Sequence, residues 1–250
     1  MRRIFIAAAM LFLFVSYAGA VGIKTMMVRY PSGQDTLTAY LAEPADAGKH
    51  PALIVIHEWW GLTDWIKEDA REFASRGYVA LAIDLYRGGI SATAQDAYKL
   101  MMSVPKERGT QDLQAAFDYL AGSESVNPDK IGAIGWCMGG SYSFNAAVEL
   151  PKLAVCIIDY GNVEADKDVV DKIQCPVLCN FAEMDQTYTP AKGKAFAEEM
   201  KAEGKKIDFH VYPGVNHAFM NPNNTTAYNE TQTKLAWKNI FAFLDKHLKR

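Results

Sequence analysis

One short segment of the chain combines a reactive side chain with three glycines. Residues 135–140 have the sequence Gly-Trp-Cys-Met-Gly-Gly, after an apolar run at 131–134 and before a helix-like segment at 141–149. A nucleophile between two glycines at a strand-to-helix turn is typical of a nucleophile elbow, where the turn leaves no room for larger flanking side chains. The helix dipole behind such a turn favours a thiolate and an oxyanion. The pattern predicts that Cys137 is a nucleophile and that the Met138 N–H binds an oxyanion; the alternative is a glycine-rich turn with a buried thiol.

A carboxylate that could serve this nucleophile follows a later apolar run. Asp185 comes shortly after residues 177–181 and before Pro190, so we expect it at the end of a strand. Glu183 is a rival acid, and capping of the next helix is the alternative role for Asp185. The acid of such a site orients a histidine by accepting a hydrogen bond from Nδ1–H.

The histidine is expected on a loop after the last strand. His217 fits this place, within the segment Tyr-Pro-Gly-Val-Asn-His-Ala-Phe at 212–219. The chain order of nucleophile, acid and histidine is the order expected behind a nucleophile elbow. The other histidines suit the role less well because of their positions: His210 on a strand face, His247 on a terminal helix and His50 before a proline.

The segment that ends the strand at 52–56 has the sequence His-Glu-Trp-Trp-Gly. Its position is that of a second oxyanion donor, which we predict to be the Trp59 N–H. Glu58 could hold the proton of a nearby thiol and release it when substrate arrives; the alternative is a carboxylate that pairs with a surface arginine. His57 with Glu58 also suggests a metal pair, but no third ligand lies at a suitable spacing.

Aromatic side chains lie near the expected strand ends and could line an apolar substrate pocket. Aromatic residues at strand ends are as often plain core, so both interpretations stay open. The candidates are Trp59, Trp60, Tyr86 and Phe219.

Apolar runs alternate with helical patterns along the whole chain. The segments predicted as strands are 26–30, 37–41, 52–56, 78–83, 131–134, 153–158, 177–181 and 207–212. The segments predicted as helices are 63–75, 111–121, 141–149, 191–202 and 233–249. Continuous apolar strands between helices predict one α/β domain with a mainly parallel sheet and helices on both faces. The first two strands are joined by a turn cluster and predict an antiparallel hairpin.

Composition narrows the class of protein. The chain has 250 residues, of which 50% are hydrophobic and 22% charged, which excludes disordered and coiled-coil chains. Four cysteines are too few for a disulfide-dense scaffold, and a net charge of −3 argues against a nucleic-acid partner.

The N-terminus has the pattern of an export signal. Residues 1–3 carry two arginines, residues 4–15 are apolar, and Ala-Gly-Ala at 18–20 suits cleavage near Ala20. The pattern predicts a signal peptide at 1–20, a domain at 21–250 and export to the periplasm or beyond, with no membrane contact after cleavage. A retained anchor is the alternative.

The remaining thiols look structural. Cys175 and Cys179 share one face of an expected strand, about 13 Å apart, which is too far for a disulfide. Cys156 lies in another apolar run. We expect all three to be buried core thiols.

Taken together, the motifs resemble the dienelactone hydrolase family of α/β-hydrolases. The segments that match, in the family's order, are 57–63, 77–80, 84–86, 135–140, 184–185 and 213–219. The resemblance implies a single α/β-hydrolase domain without metal or organic cofactor. It also implies Cys137 as nucleophile, Asp185 and His217 as its partners, Glu58 as the carboxylate that gates the thiol, and a small ester or lactone as substrate.

The chain departs from this family at two positions that hold a substrate carboxylate. In the family an arginine at each of these positions holds the carboxylate. Arg87, followed by two glycines, lies one position short of the first of them and is the remaining candidate for this contact. At the second position this chain has Asn221. The substrate class therefore stays open between a lactone and other esters or thioesters. A non-catalytic binding protein is a further alternative, whereas a redox protein would need a resolving cysteine, and the chain has no C-x-x-C motif.

Overall fold

The computed structural model describes residues 22–249, which form eight strands and seven helices. The strands are β1 (Ile23–Ser32), β2 (Asp35–Pro44), β3 (His50–Ile56), β4 (Val79–Ile83), β5 (Val126–Trp136), β6 (Val155–Asp159), β7 (Val177–Ala182) and β8 (Ile207–Tyr212). The helices are α1 (Asp64–Ser75), α2 (Ala94–Met102), α3 (Lys106–Ala121), α4 (Met138–Glu149), α5 (Lys167–Val170), α6 (Pro190–Ala202) and α7 (Glu230–Leu248).

All of these strands belong to one sheet, in the order β1-β2-β4-β3-β5-β6-β7-β8. The hairpin β1–β2 is antiparallel and pairs antiparallel with β4, whereas β4, β3 and β5 to β8 are parallel. The predicted fold class is therefore confirmed, including the N-terminal hairpin. Because the strands from β3 onward are parallel, their carboxyl ends meet at one edge of the sheet. The loops that hold the candidate site residues follow these strand ends.

The two faces of the sheet are covered by different helices. On one face Phe117 of α3, Phe144 of α4 and Phe196 of α6 pack in one core layer. On the other face Phe73 of α1 and Ile240 of α7 pack in a second layer. Alternate residues of β3 enter alternate layers, which explains why its sequence is a continuous apolar run.

The sequence patterns did not predict two of the observed helices, and they predicted a third helix that is shorter than the observed one. The helices α2 and α5 were not expected; each bears only a single fully buried side chain, so the periodic apolar stripe is weak. The helix α3 begins at Lys106 rather than at the expected 111, directly after Pro105. Gly109 in its first turns obscured the helical pattern, and this glycine packs against the Tyr142 ring of α4.

In the sequence of β8, Ile207, Phe209 and Val211 alternate with Asp208, His210 and Tyr212, which predicts a strand with one solvated face. The prediction is wrong at the end of the strand, where Val211 is 41% exposed and Tyr212 only 2%. The reason is that β8 is the last strand of the sheet, where Tyr212 reaches inward to the Asn180 side chain of β7 at 2.9 Å.

Cys156, Cys175 and Cys179 are buried and unbridged, which confirms the expectation of core thiols.

The predicted signal peptide lies outside the described residues. Among the helices of residues 22–249, none combines the length and apolar character that a membrane span requires.

Candidate active site

Cys137 lies in a strained turn at the carboxyl edge of the sheet. β5 ends at Trp136, α4 begins at Met138, and Cys137 between them has φ 56° and ψ −116°. A non-glycine residue at such a positive φ costs free energy and is held only where the surrounding structure enforces it. Here the Cys137 N–H donates to the Asp159 carbonyl at 3.0 Å, which fixes the turn to the end of β6. The geometry is that of a nucleophile elbow, with the side chain presented above the sheet.

The glycines of the motif are required by contacts of the backbone. A Cβ on Gly135 would lie 2.2 Å from the Gly139 carbonyl oxygen, and a Cβ on Gly139 would lie 2.1 Å from the Ile56 carbonyl oxygen. Both distances are far inside van der Waals contact, so β3, β5 and α4 can meet only if these positions lack side chains. The steric reason expected for these glycines is confirmed.

Asp185 and His217 come together as the chain order predicts. The His217 Nδ1–H donates to Asp185 Oδ2 at 2.7 Å, and Asp185 is 1% exposed. The other carboxylate oxygen accepts from the backbone N–H groups of Thr187 at 2.7 Å and Tyr188 at 3.0 Å. These bonds hold the carboxylate in one orientation and leave Nε2 of His217 to face the thiol. The rival Glu183 instead accepts from the Gly214 N–H on the surface at 2.8 Å.

The imidazole also contacts the thiol. Burial lowers the pKa of His217, but hydrogen bonds to Asp185 and to Cys137, together with their charges, raise it to about 10. A proton is therefore held on His217 beside the Cys137 sulfur, where it could serve as a general acid.

Two tyrosines that the sequence analysis missed enclose this imidazole. The ring of Tyr160, at the end of β6, lies 5.2 Å from that of His217, and the ring of Tyr188 lies 5.4 Å away on the loop after Asp185. Tyr160 is fully buried, whereas Tyr188 is partly exposed. The available signal was an aromatic residue two positions after the expected strand end at 158 and another three positions after the predicted acid.

Glu58 lies inside the site rather than on the surface. It is 2% exposed; Oε2 accepts from Asn221 Nδ2 at 2.6 Å, and Oε1 accepts a long bond from the Tyr160 hydroxyl at 3.5 Å. Burial raises its pKa to about 7, while Asn221, the charge of His217 and Tyr160 oppose this shift. The alternative of a surface ion pair is therefore wrong. Asn221, which stands where an arginine was expected by resemblance, is a partner of this carboxylate.

His57 has a structural role. Its Nδ1–H donates to the Glu58 carbonyl at 2.6 Å, and Nε2 accepts from the Leu85 N–H at 3.2 Å. Both ring nitrogens are thus used to tie the ends of β3 and β4 together. Within residues 22–249 no group of three or more metal-binding side chains occurs, so the hypothesis of a metal pair finds no support there.

Tyr86 braces the two segments that carry the predicted oxyanion donors. Its hydroxyl lies 3.1 Å from the Trp59 carbonyl oxygen and 3.2 Å from the Met138 sulfur. Across the described part of the chain, neither the Trp59 N–H nor the Met138 N–H donates to a backbone carbonyl. Within residues 22–249 both amides are therefore without a backbone partner. Tyr86 itself is 7% exposed and lies behind them rather than in an open pocket.

The remaining predicted pocket residues have different positions. Arg87 donates to both carboxylate oxygens of Asp112 at 2.8 Å and to Asp35 at 2.8 Å, so the expected contact with a substrate carboxylate is not supported. Phe219 is fully buried beside Tyr160, which makes it a core residue rather than a pocket wall.

Trp60 lines an open cavity, and Arg87 borders a separate and smaller one of about 230 Å³. The cavity beside Trp60 has a volume of about 350 Å³ and is bordered by Asn221, the partner of Glu58. Its other lining side chains are small and uncharged: Thr63, Ser91, Ala92, Asn223 and Asn224.

The sheet order, the elbow at Cys137 and the acid and histidine on later loops define an α/β-hydrolase. The dienelactone hydrolase family model matches residues 37–248, and the chain belongs to that family. Protein usf of Aquifex pyrophilus is 31% identical over 229 residues, covering 89% of this chain and 98% of that protein. A protein of Aquifex aeolicus, provisionally named a carboxymethylenebutenolidase, is 29% identical over 230 residues, covering 89% of this chain and 99% of that one.

The crystal structure of a dienelactone hydrolase-like promiscuous phosphotriesterase from metagenomic libraries shares the fold. Its TM-score is 0.84 at 22% identity, covering 92% of this chain and 99% of that one. Membership in the family makes this chain a hydrolase of ester or lactone bonds, as the fold class and motifs predict.

Proposed function

We propose that Cys137, His217 and Asp185 form a catalytic triad that hydrolyses small, uncharged esters or lactones. The observation that carries the proposal is the continuous line of contacts from the Asp185 carboxylate through His217 to the Cys137 thiol, at the tip of a strained turn. A structural cysteine would not need a positive φ beside an imidazole held by a buried carboxylate.

The arrangement supports a two-step reaction. The Cys137 thiolate attacks the substrate carbonyl, and the resulting oxyanion accepts hydrogen bonds from the Met138 and Trp59 N–H groups. The proton on His217 Nε2 passes to the leaving alkoxide, the carbon–oxygen bond breaks, and a thioester to Cys137 remains. His217 then takes a proton from water, whose oxygen attacks the thioester carbonyl. The carbon–sulfur bond breaks, the acid product leaves, and the Cys137 thiolate is restored beside the protonated His217.

The cavity that borders Asn221, the partner of Glu58, favours an uncharged substrate. The cavity beside Trp60 is lined by neutral side chains, Arg87 is bound to two carboxylates, and Asn221 presents an amide where a cation was expected. A substrate carboxylate would lack a cationic partner there, and burying it unpaired is costly. A relative from Bradyrhizobium, 29% identical over 223 residues, has the name of a lactonase, which suggests lactones as the first class to test.

A carboxylesterase or thioesterase activity uses the same groups and is the second candidate. The partly exposed Tyr188 ring beside His217 offers an apolar surface for an acyl chain.

We also propose that the enzyme acts outside the cytoplasm, because of the signal-like residues 1–20.

Trapping of the acyl-enzyme by mass spectrometry tests the nucleophile and the substrate class together. Aryl esters, lactones and thioesters, each in neutral and carboxylated form, are mixed with the enzyme and quenched in acid. We expect an adduct on the peptide that carries Cys137, with neutral substrates giving more adduct and faster turnover.

The matched variants are Cys137→Ala and Cys175→Ala, because Cys175 is a thiol buried away from His217. We expect the first to lose turnover by at least about 10³-fold while remaining folded, and the second to keep it within about twofold. Full turnover by Cys137→Ala would remove the nucleophile assignment.

A further inference from the structure

A group of buried polar atoms lies beneath the elbow, on the sheet face covered by α1 and α7. Three of them have no hydrogen-bond partner among residues 22–249: Trp136 Nε1, Asp69 Oδ2 and Asp159 Oδ2. Trp136 and Asp159 are fully buried, and Asp69 is 7% exposed. Buried polar atoms in folded proteins nearly always bind another polar group or an ordered water, so these three require a partner.

The three side chains converge from different elements. Asp159 of β6 is the register partner of Trp136 in β5, so both side chains leave the same face of the sheet side by side. Trp65 of α1 packs on the Trp136 ring with centroids 5.5 Å apart, and Asp69 lies one helical turn after Trp65. From the other side, Trp237 of α7 lies 6.0 Å from Trp136 and lines a cleft of about 580 Å³ together with Asp69.

We propose that Trp136, Asp69 and Asp159 bind one buried water molecule that positions the nucleophile turn. The three atoms offer one N–H donor and two carboxyl oxygens, and a water that accepts one bond and donates two is their complement. Internal waters typically make about three hydrogen bonds. A cation would face the positive end of the indole N–H, and an anion would face two carboxyl groups, so neither suits the site.

The charge states of Asp69 and Asp159 are compatible with a water molecule bound between them and Trp136. Burial raises the pKa of Asp69 well above its usual value, and the charges of Glu58 and Asp159 raise it further. Burial raises the pKa of Asp159 to about 7, although the hydrogen bond from Asn180 opposes it. A proton on either carboxyl changes only which group donates: the water then accepts from Trp136 and from that carboxyl, and it donates to the other one. The number of hydrogen bonds remains three.

The water would act on the nucleophile through the backbone. Trp136 immediately precedes Cys137, and the Asp159 carbonyl accepts the Cys137 N–H at 3.0 Å. Asp159 is also anchored from behind, because Asn180 Nδ2 donates to its Oδ1 at 2.7 Å and the Tyr212 hydroxyl donates to Asn180 Oδ1 at 2.9 Å. The bound water thus links the side chains of the two residues that frame the strained turn, which makes Trp136 and Asp159 positioning residues.

A crystal structure of the enzyme, at a resolution that shows other internal waters, tests the site without reference to activity. We expect one density peak within hydrogen-bond distance of Trp136 Nε1, Asp69 Oδ2 and Asp159 Oδ2, and its loss in Trp136→Phe. Direct bonding among the three groups, or no peak between them, overturns the proposal.

Kinetics test the positioning role, which rests on the proposed function. We expect Trp136→Phe to lower kcat for a small aryl ester about fivefold with KM unchanged, the effect of one lost hydrogen bond. Trp65→Phe, in the same aromatic stack, is the control and should change kcat by less than about twofold. Asp159→Asn, whose amide can also bond the water, should retain more activity than Asp159→Leu.

Equal effects of Trp136→Phe and Trp65→Phe overturn the positioning role. Full activity of Cys137→Ala would instead defeat the proposed function, while the crystallographic test of the water site would stand.

Discussion

At the scale of single residues, the geometry of the site depends on side chains that their contacts hold in one orientation. Asp185 gives one oxygen to His217 and the other to two backbone N–H groups, so it cannot turn away. The imidazole is further confined between the rings of Tyr160 and Tyr188. The side chains that would move a proton are therefore fixed before substrate binds, which is the condition for efficient acid–base catalysis.

Asp185→Asn tests the orienting carboxylate. An asparagine fits the same space but no longer favours the tautomer with a proton on Nδ1, so kcat should fall by about 10²–10⁴-fold. Steady-state hydrolysis of an aryl ester measures the loss. Glu183→Gln, two residues away on the surface, serves as the control and should leave kcat within about twofold; a comparable loss in both variants would contradict the role of Asp185.

Glu58→Gln tests the buried carboxyl beside the triad. Because burial raises the pKa of Glu58 to about 7, its ionisation falls in the working range and changes the field at His217. We expect the pH profile of kcat/KM to have an inflection near this pKa that Glu58→Gln removes, since glutamine can still accept from Asn221. An unchanged profile would exclude Glu58 as a titrating group of the site.

At the scale of elements, the elbow exists because β3, β5 and α4 approach to backbone contact. The continuous apolar strands and the glycine spacing were sufficient to predict this junction from the sequence, since both are local patterns. The helices α2 and α5 could not be predicted in the same way, because each buries only one side chain completely and has little periodicity.

Gly139→Ala tests this close approach. The added Cβ would meet the Ile56 carbonyl oxygen at 2.1 Å, and a backbone atom cannot move aside without displacing β3. We expect a loss of about 3 kcal/mol in the free energy of unfolding or more, with loss of activity. Gly122→Ala, at the end of α3, should change stability by less than about 1 kcal/mol. Urea titration measures both, and equal stabilities would show that the junction tolerates a side chain.

At the scale of the whole molecule, the fold buries several carboxyl groups at the carboxyl edge of the sheet. Glu58 and Asp159 are 2% and 0% exposed, and burial raises the pKa of each to about 7. The folded protein therefore binds protons more tightly than the unfolded chain at these two positions. Such groups stabilise the fold below their unfolded pKa, and this stabilisation is lost as the pH rises through the folded pKa.

The free energy of unfolding should consequently decrease between about pH 4 and pH 7, by roughly 2–4 kcal/mol for each of the two groups. The double variant Glu58→Gln with Asp159→Asn should flatten this slope. Denaturant titrations at several pH values measure it for both proteins, with Asp208→Asn on the edge strand β8 as the control, because the Asp208 side chain is 47% exposed. A slope that is equal in wild type and double variant would contradict the assignment.

The sequence by itself determined the elbow, the order of nucleophile, acid and histidine, and the strands that carry them. These features follow from rules that act over a few residues, such as the absence of a Cβ at a tight turn and the apolar content of a covered strand. Only the tertiary structure decided the partners of Glu58, which meets Asn221 across 163 positions of chain, and of Arg87, which is bound to Asp112 instead of facing a substrate. The reason is that a polar side chain bonds whichever partner the packing of the sheet brings within hydrogen-bond distance. A pattern over a few neighbouring residues does not predict which partner that is.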